Sequence, residues 1–305
     1  MIEHIIESQQ FSVPKIWEIF DRAEDMKKIL ARGGTKDYDN RILASLFYKP
    51  STRTRFSFES AMARLGGKVL STENAHEFSS EIRTEMLEDT IKIVSNYADA
   101  IVLRALDMGG AQRAANVSKV PIINAGDGAN GQHPTQALLD LYTIYQECKT
   151  LDGLSVLFAG ELDTGRTVHS LAYLLGKFSR VKLYFVAPKE LQIKQDILDY
   201  LDRRDVVYEL AESSKGIIET VDVAYQTQIH EDRLIGLSFD PSVNTINKSV
   251  LSKMKHDSII LHPLPRSVEI DPEVDNDKRA AYFRQTENGL YIRMALLSMI
   301  FDKEL

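Results

Sequence analysis

The segment RILASLFYKPSTRTRFSFESAMARLGG, residues 41–67, contains the pattern from which the fold of this chain can be predicted. Its first part is an apolar run of strand length that ends at Pro50. Its second part has the apolar spacing of a helix, and Gly66 and Gly67 provide the stop. Strand-like and helix-like segments alternate in this way along the chain. Since strands joined by helices pair in parallel, this order predicts a parallel sheet covered by helices.

One long predicted helix divides the chain into two such series. It is HPTQALLDLYTIYQECKT, residues 133–150, with Pro134 in its first turn. The strand–helix alternation begins again after it, and the apolar helix NGLYIRMALLSMIF closes the chain. We therefore predict an α/β protein with two doubly wound parallel-sheet domains joined by interdomain helices. The first domain covers residues 1–133 and is completed by the C-terminal helix 289–305, and the second covers residues 134–288.

Composition excludes several classes of protein. The 305 residues are 44% hydrophobic and 27% charged, which is typical of a globular protein. The net charge of −7 argues against a general nucleic-acid binder. Cys148 is the single cysteine, so an intrachain disulfide and a cysteine-based metal site are excluded. The N-terminus lacks the basic region of a signal peptide, and no apolar run approaches the ~18 residues of a membrane span. We expect a cytoplasmic protein without a membrane or nucleic-acid partner.

The strongest candidate for a binding site is the turn STRTR, residues 51–55, between the first strand and its helix. Backbone N–H groups at a helix start are unpaired and carry the positive end of the helix dipole, which suits a phosphate. Three hydroxyls and the guanidinium groups of Arg53 and Arg55 add further donors. Taken alone, the same turn also fits a capped helix with surface arginines.

Three further clusters also follow predicted strands. GDGANGQHPTQ, residues 126–136, places His133 and Gln136 at a helix start, where they suit a small planar polar group or simply cap the helix. GELDTGRTVHS, residues 160–170, differs from a P-loop in having Arg166 in place of lysine. A planar guanidinium suits a carboxylate better than a triphosphate, so we do not predict a nucleotide triphosphatase.

The fourth cluster is LHPLPRSVEI, residues 261–270, whose two prolines stiffen the loop after a strand. Such a loop can present backbone carbonyls and Arg266 to a ligand, or it can be a structural turn. All four clusters lie at carboxyl ends of predicted strands, where open α/β sheets bind ligands. The sequence contains no histidine–carboxylate set at metal spacing and no serine or cysteine nucleophile motif, so we expect neither metal nor cofactor.

Together STRTRFSFE, QHPTQALLDLYTI, GRTVHSL and HPLPR resemble the aspartate/ornithine carbamoyltransferase family, with the motifs in the same order over nearly the whole chain. HPLPR favours the aspartate branch, because the ornithine branch usually has a cysteine after that histidine. The resemblance implies transfer of a carbamoyl group from carbamoyl phosphate to the α-amine of L-aspartate, a step of pyrimidine biosynthesis. It also implies a homotrimer whose active sites are shared between neighbouring subunits, and it leaves room for a regulatory subunit.

The family motifs imply a role for each matching residue. Catalytic roles fall to Arg53, Thr54, Arg104 and His133. The residues that would hold carbamoyl phosphate are Ser51, Thr52, Arg53, Thr54, Arg104, His133 and Gln136. Arg166 would bind a carboxylate of the second substrate and the Leu264 backbone would orient it, while Ser79 and Arg83 would reach into the site of the neighbouring subunit.

The sequence departs from the family pattern on the side of the second substrate. In TQIHEDR, residues 227–233, Gln228 occupies the position of the arginine that grips the aspartate side chain, and His230 replaces a glutamine. Asp163 and Thr164 replace what is usually a basic–aromatic pair. Three interpretations follow: a carbamoyltransferase for aspartate in which Arg83, Arg166 or Arg266 takes up the carboxylates, a paralogue that uses another amine, and a non-catalytic subunit that binds carbamoyl phosphate.

Overall fold

The computed structural model describes residues 4–73, 86–230, 233 and 244–305. It divides the chain into two compact units. Unit 1 comprises residues 1–139 and 287–305, and unit 2 comprises residues 140–286. The chain passes from one unit to the other inside two of its longer helices, Pro134–Cys148 and Tyr282–Asp302.

In unit 1, four parallel strands form one sheet in the order β2-β1-β3-β4. The strands are β1 Ile42–Phe47, β2 Lys68–Glu73, β3 Ala100–Arg104 and β4 Ile122–Asn124. The helices of this part of the chain are α1 Val13–Ala31, α2 Thr52–Arg64, α3 Leu87–Val94, α4 Gly110–Val117 and, crossing into unit 2, α5 Pro134–Cys148. The edge strand β2 is largely exposed, whereas β3 is buried throughout and is apolar up to its last residue, Arg104.

In unit 2, five parallel strands form a second sheet in the order β7-β6-β5-β8-β9. The strands are β5 Ser155–Ala159, β6 Lys182–Val186, β7 Val207–Ala211, β8 Val223–Gln226 and β9 Ile259–Leu261. The helices are α6 Arg166–Leu175, α7 Gln195–Asp202, α8 Lys248–Leu251 and α9 Tyr282–Asp302, which returns the chain to unit 1. These two parallel sheets confirm the predicted α/β fold class.

Each sheet has one point where the strand order reverses. In unit 1 the chain moves from β1 to β2 on one side and later to β3 on the other side of β1. In unit 2 the same reversal lies between β5 and β8. Loops that leave in opposite directions open a crevice at the carboxyl ends of such strands, where α/β proteins bind ligands.

Among the described helices, none combines the length and apolarity that a membrane crossing requires. Within the same residues, His, Cys, Asp and Glu side chains do not gather into a group of three or more that could hold a metal ion.

Gly160 allows the loop after β5 to pass close to the loop after β8. Its φ is +128°, and a Cβ there would lie 2.2 Å from Thr227 Oγ1 and 2.3 Å from Thr227 O. We expect Gly160→Ala to lower the free energy of unfolding by about 3 kcal/mol, because backbone strain and overlap add. Gly153→Ala is the matched control, since Gly153 also has a positive φ (+74°) but open space around it. Urea unfolding of both variants measures this, and equal losses would contradict the role of the close approach.

Candidate active site

The predicted phosphate residues lie at the reversal point of the sheet in unit 1. Phe47, the last residue of β1, pairs in register with Arg104, the last residue of β3, and Tyr48 N donates to Arg104 O at 3.0 Å. The turn that starts α2 therefore leaves the sheet beside Arg104. Thr54 is buried, Thr52 and Arg53 are exposed, and Ser51 is half-buried.

The helix start itself is suited to an anion. Ser51 is the N-cap of α2, and its side chain makes no capping hydrogen bond. In an ordinary cap that hydroxyl would satisfy one of the N–H groups of the first turn. Because the Ser51 hydroxyl does not cap the helix, the first turn of α2 is suited to a ligand with several acceptor oxygens.

An acidic side chain that the sequence did not single out also lies at this helix start. Glu73, the last residue of β2, accepts a hydrogen bond from Ser51 N at 3.2 Å and pairs with Arg55 at 2.9 Å. Arg55 also lies 3.6 Å from Glu59. Of the two arginines in STRTR, Arg55 is thus paired with acidic neighbours.

The loop after β4 places His133 and Gln136. Asp127 anchors this loop, because its carboxylate accepts from Gly109 N at 2.7 Å and Ala111 N at 3.2 Å at the start of α4. His133 directly precedes α5, and its carbonyl accepts from Gln136 N at 3.0 Å. His133 is buried and Gln136 is half-buried.

In unit 2 the loops after β5 and β8 leave the sheet side by side, since Ala159 and Gln226 are register partners. Arg166 is the first residue of α6 and is half-buried, as is Gln228. Both predicted residues therefore lie on loops at the reversal point of this sheet. Sequence-based expectations about Ser79 and Arg83 concern positions outside the described residues.

Two residues that depart from the family pattern, His230 and Asp163, each contact a residue of the other loop. His230 Nδ1 lies 3.1 Å from Glu161 Oε2, and Arg233 forms an ion pair with Asp163. Burial raises the pKa of Glu161, but hydrogen bonds from Thr164 and His230 outweigh it and leave that pKa below its ordinary value. Glu161 is therefore an ionised acceptor, and the two contacts connect the loop after β5 to the loop after β8.

The fourth cluster follows β9, and one of its predicted ligands has another partner. Both terminal nitrogens of Arg266 bind the carboxylate of Asp275, and Nη2 lies 2.6 Å from Oδ2. Nη1 also donates to the Tyr282 hydroxyl at 3.0 Å. Because a bidentate pair uses the fork that a substrate carboxylate would need, Arg266 is a structural residue of this loop. Leu264, the predicted backbone ligand, is half-buried two residues earlier.

We expect Glu73→Gln to tighten the binding of inorganic phosphate about 3- to 10-fold, since the change removes a negative charge that competes for Ser51 and Arg55. Isothermal titration calorimetry of the full chain measures this affinity. Glu59→Gln is the matched control, because Glu59 also contacts Arg55 but its other hydrogen bonds are to Ser45 and Ser71. Equal affinities in both variants would contradict the role of the Ser51–Glu73 contact.

Comparison with known proteins shows which family the two units resemble. Residues 3–146 match the model of the aspartate/ornithine carbamoyltransferase, carbamoyl-P binding domain, and residues 152–300 match that of the Asp/Orn binding domain. The chain is 48% identical to aspartate carbamoyltransferase 1, chloroplastic, of Pisum sativum, over 98% of this chain and 78% of that protein. It is 43% identical to the aspartate carbamoyltransferase catalytic subunit of Methanocaldococcus jannaschii, over 99% of this chain and 98% of that one.

Solved structures give the same result. The catalytic subunit of M. jannaschii aspartate transcarbamoylase superposes with a TM-score of 0.91 at 42% identity, covering 99% of both chains. Aspartate transcarbamoylase from Trypanosoma cruzi, in complex with carbamoyl phosphate and aspartate, superposes with a TM-score of 0.92 at 36% identity, covering 97% of this chain and 94% of that one. The predicted resemblance is confirmed, and this chain belongs to the aspartate/ornithine carbamoyltransferase family.

Proposed function

We propose that the protein is an aspartate carbamoyltransferase, which converts carbamoyl phosphate and L-aspartate into N-carbamoyl-L-aspartate and phosphate in pyrimidine biosynthesis. The observation that carries this proposal is the match of both domain models together with relatives named for this activity over nearly the whole chain. Unit 1 is the carbamoyl phosphate domain in this proposal, and unit 2 is the domain for the second substrate.

The residues of unit 1 suit the chemistry of carbamoyl transfer. The amine attacks the carbonyl carbon, negative charge builds on the carbonyl oxygen, and the bond to the phosphate oxygen breaks. Donors fixed around that oxygen and around the phosphate stabilise the transition state. We assign the phosphate to residues 51–54, the carbonyl oxygen to His133 and Arg104, and the carbamoyl NH2 to Gln136.

The proton of the attacking amine needs an acceptor. The departing phosphate carries negative charge next to the reacting nitrogen and can take that proton itself, so a side-chain base is not required. The protein then contributes by aligning two small reactants, which removes much of the entropic part of the barrier.

We expect Arg53→Ala to lower the rate of phosphate release with carbamoyl phosphate and aspartate by roughly 10²- to 10³-fold, because it removes a charged donor to the leaving group. The side chain is exposed, so the melting temperature should stay unchanged. Arg64→Ala, at the exposed far end of the same helix, is the matched control and should keep wild-type activity. Normal turnover by Arg53→Ala would refute the assignment of this phosphate site.

A second candidate function has a specific structural basis. Gln228 lacks the charge of the family arginine, while Arg233 pairs with Asp163 and Arg266 pairs with Asp275. A neutral amide cannot replace a bidentate guanidinium–carboxylate contact. These observations favour a carbamoyltransferase whose amine substrate lacks a side-chain carboxylate.

Measuring phosphate release with a panel of primary amines decides between the two candidates. Turnover with aspartate supports the first, and turnover only with amines that lack the second carboxylate supports the other. We expect Gln228→Arg to lower the KM for aspartate about 10-fold, since it restores one charge-assisted pair. An unchanged KM would mean that position 228 does not face the substrate, and tight carbamoyl phosphate binding without any turnover would favour the non-catalytic interpretation.

The oligomeric state and the cellular location of the protein are two further proposals. We infer a homotrimer in which Ser79 and Arg83 complete the site of the neighbouring subunit, as the family resemblance implies, and light scattering of the purified protein tests its mass. The M. jannaschii relative is named a catalytic subunit, and a regulatory subunit for this chain stays a prediction. The cytoplasmic location also stays a prediction, since the Pisum sativum relative is named chloroplastic.

A further inference from the structure

We propose that His262 and Glu269 are positioning residues for the second substrate, because together they hold the backbone of Leu264 in the conformation that faces it. This inference rests on the proposed function, in which Leu264 orients the amine through its backbone. Neither His262 nor Glu269 has a role in the family-based assignment above.

His262 is a buried link between the loop and the end of β9. It directly follows Leu261, the last residue of that strand, and its exposed fraction is 2%. Its Nδ1 accepts a hydrogen bond from Leu264 N at 2.8 Å. On the other side of the ring, Nε2 lies 2.8 Å from Glu269 Oε1. Since Nδ1 accepts from a backbone N–H, the network assigns the ring proton to Nε2, which donates it to Glu269.

Glu269 is suited to accept the hydrogen bond from His262 Nε2, because its carboxylate is ionised. Its exposed fraction is 7%, and its Oε1 also accepts from Ser267 N at 3.0 Å. Burial raises the pKa of Glu269, but hydrogen bonds from His262 and from backbone N–H groups outweigh it and hold the pKa below its ordinary value. The carboxylate therefore keeps the imidazole in one tautomer and one orientation.

The conformation that this pair holds is unusual for a leucine. Leu264 has a φ of +53°, in the left-handed region that costs a non-glycine residue about 1 kcal/mol or more. In that conformation its N–H points back to His262 Nδ1. The hydrogen bond offsets part of the backbone strain, so the direction of the Leu264 carbonyl depends on the imidazole.

A second buried chain of hydrogen bonds fixes the backbone of His262. His262 N donates to Gln285 Oε1 at 3.0 Å, and Gln285 Nε2 donates to Asp140 Oδ1 at 2.6 Å. The Tyr225 hydroxyl donates to the other oxygen of Asp140 at 2.7 Å. Gln285, Asp140 and Tyr225 are all buried, so the imidazole is attached to a rigid support. A continuous series of hydrogen bonds thus connects this support to Leu264 through His262.

Two substitutions at His262 test the roles of the two ring nitrogens separately. His262→Asn keeps an acceptor near the position of Nδ1 and can still receive the Leu264 N–H, but it cannot reach Glu269. His262→Gln reaches Glu269 with its amide but places no acceptor where Nδ1 stood. Both variants remove the ring and leave a neutral amide, so they form a matched pair.

We expect His262→Gln to raise the KM for the second substrate roughly 10-fold, with carbamoyl phosphate binding unchanged, because the loss of one hydrogen bond releases the Leu264 backbone. His262→Asn should raise that KM less than about 3-fold. Steady-state kinetics with the amine identified in the panel gives KM and kcat, and calorimetry of the full chain gives the affinity for carbamoyl phosphate. Melting temperatures check that each variant folds.

The outcomes are distinguishable. If the wild-type protein turns over no amine, the proposed function fails and this inference fails with it. If the wild type is active but both variants share one KM, or lose carbamoyl phosphate affinity together with thermal stability, then His262 is only structural and the inference alone is overturned. Should His262→Gln not fold, Glu269→Ala takes its place, with the same expected rise in KM and an unchanged affinity for carbamoyl phosphate. Selective ¹⁵N labelling of histidine provides an independent check, since a proton on Nδ1 of His262 would contradict the assigned geometry.

Discussion

Two parallel strand pairings, β1 with β3 and β5 with β8, determine where the functional groups of this protein lie. At each of them the strand order reverses, so the loops on the two strands leave in opposite directions. The register places Phe47 beside Arg104 in unit 1 and Ala159 beside Gln226 in unit 2. The two loops of each pair therefore begin side by side before they diverge. Each crevice thus receives side chains from distant parts of the sequence.

Carboxylates pair with cations near the carboxyl ends of both sheets. In unit 1 the start of α2 presents a helix dipole and Arg53, and the nearby acid Glu73 binds Ser51 and Arg55. In unit 2 carboxylates accompany the cations, as in Arg233 with Asp163 and Arg266 with Asp275. A partly buried charge without its partner would lose hydration and gain nothing in return. The two loops of unit 2 are therefore coupled through the His230–Glu161 and Arg233–Asp163 contacts, each of which includes one residue that departs from the family pattern.

Much of the fold was predictable because its signals are local. Short apolar runs alternate with helical patterns, and the central strand β3 is apolar up to its last residue, Arg104, because both faces are buried. The positions of Ser51, His133, Arg166 and Leu264 at carboxyl ends of strands followed from the same alternation. Glu73 and Glu269 were missed, since an acidic residue near a strand end has no distinguishing pattern until its partner is known.

The sequence by itself determined the α/β alternation, the helix start at STRTR and the family, because each of these rests on neighbouring residues or on contiguous motifs. Only the tertiary structure decided which polar groups meet. His230 lies 69 positions from Glu161 along the chain, and Ser51 lies 22 positions from Glu73. Strand register brings these residues within hydrogen-bonding distance, and register arises from backbone pairing and burial over whole strands, so the identities of the two partners alone do not encode it.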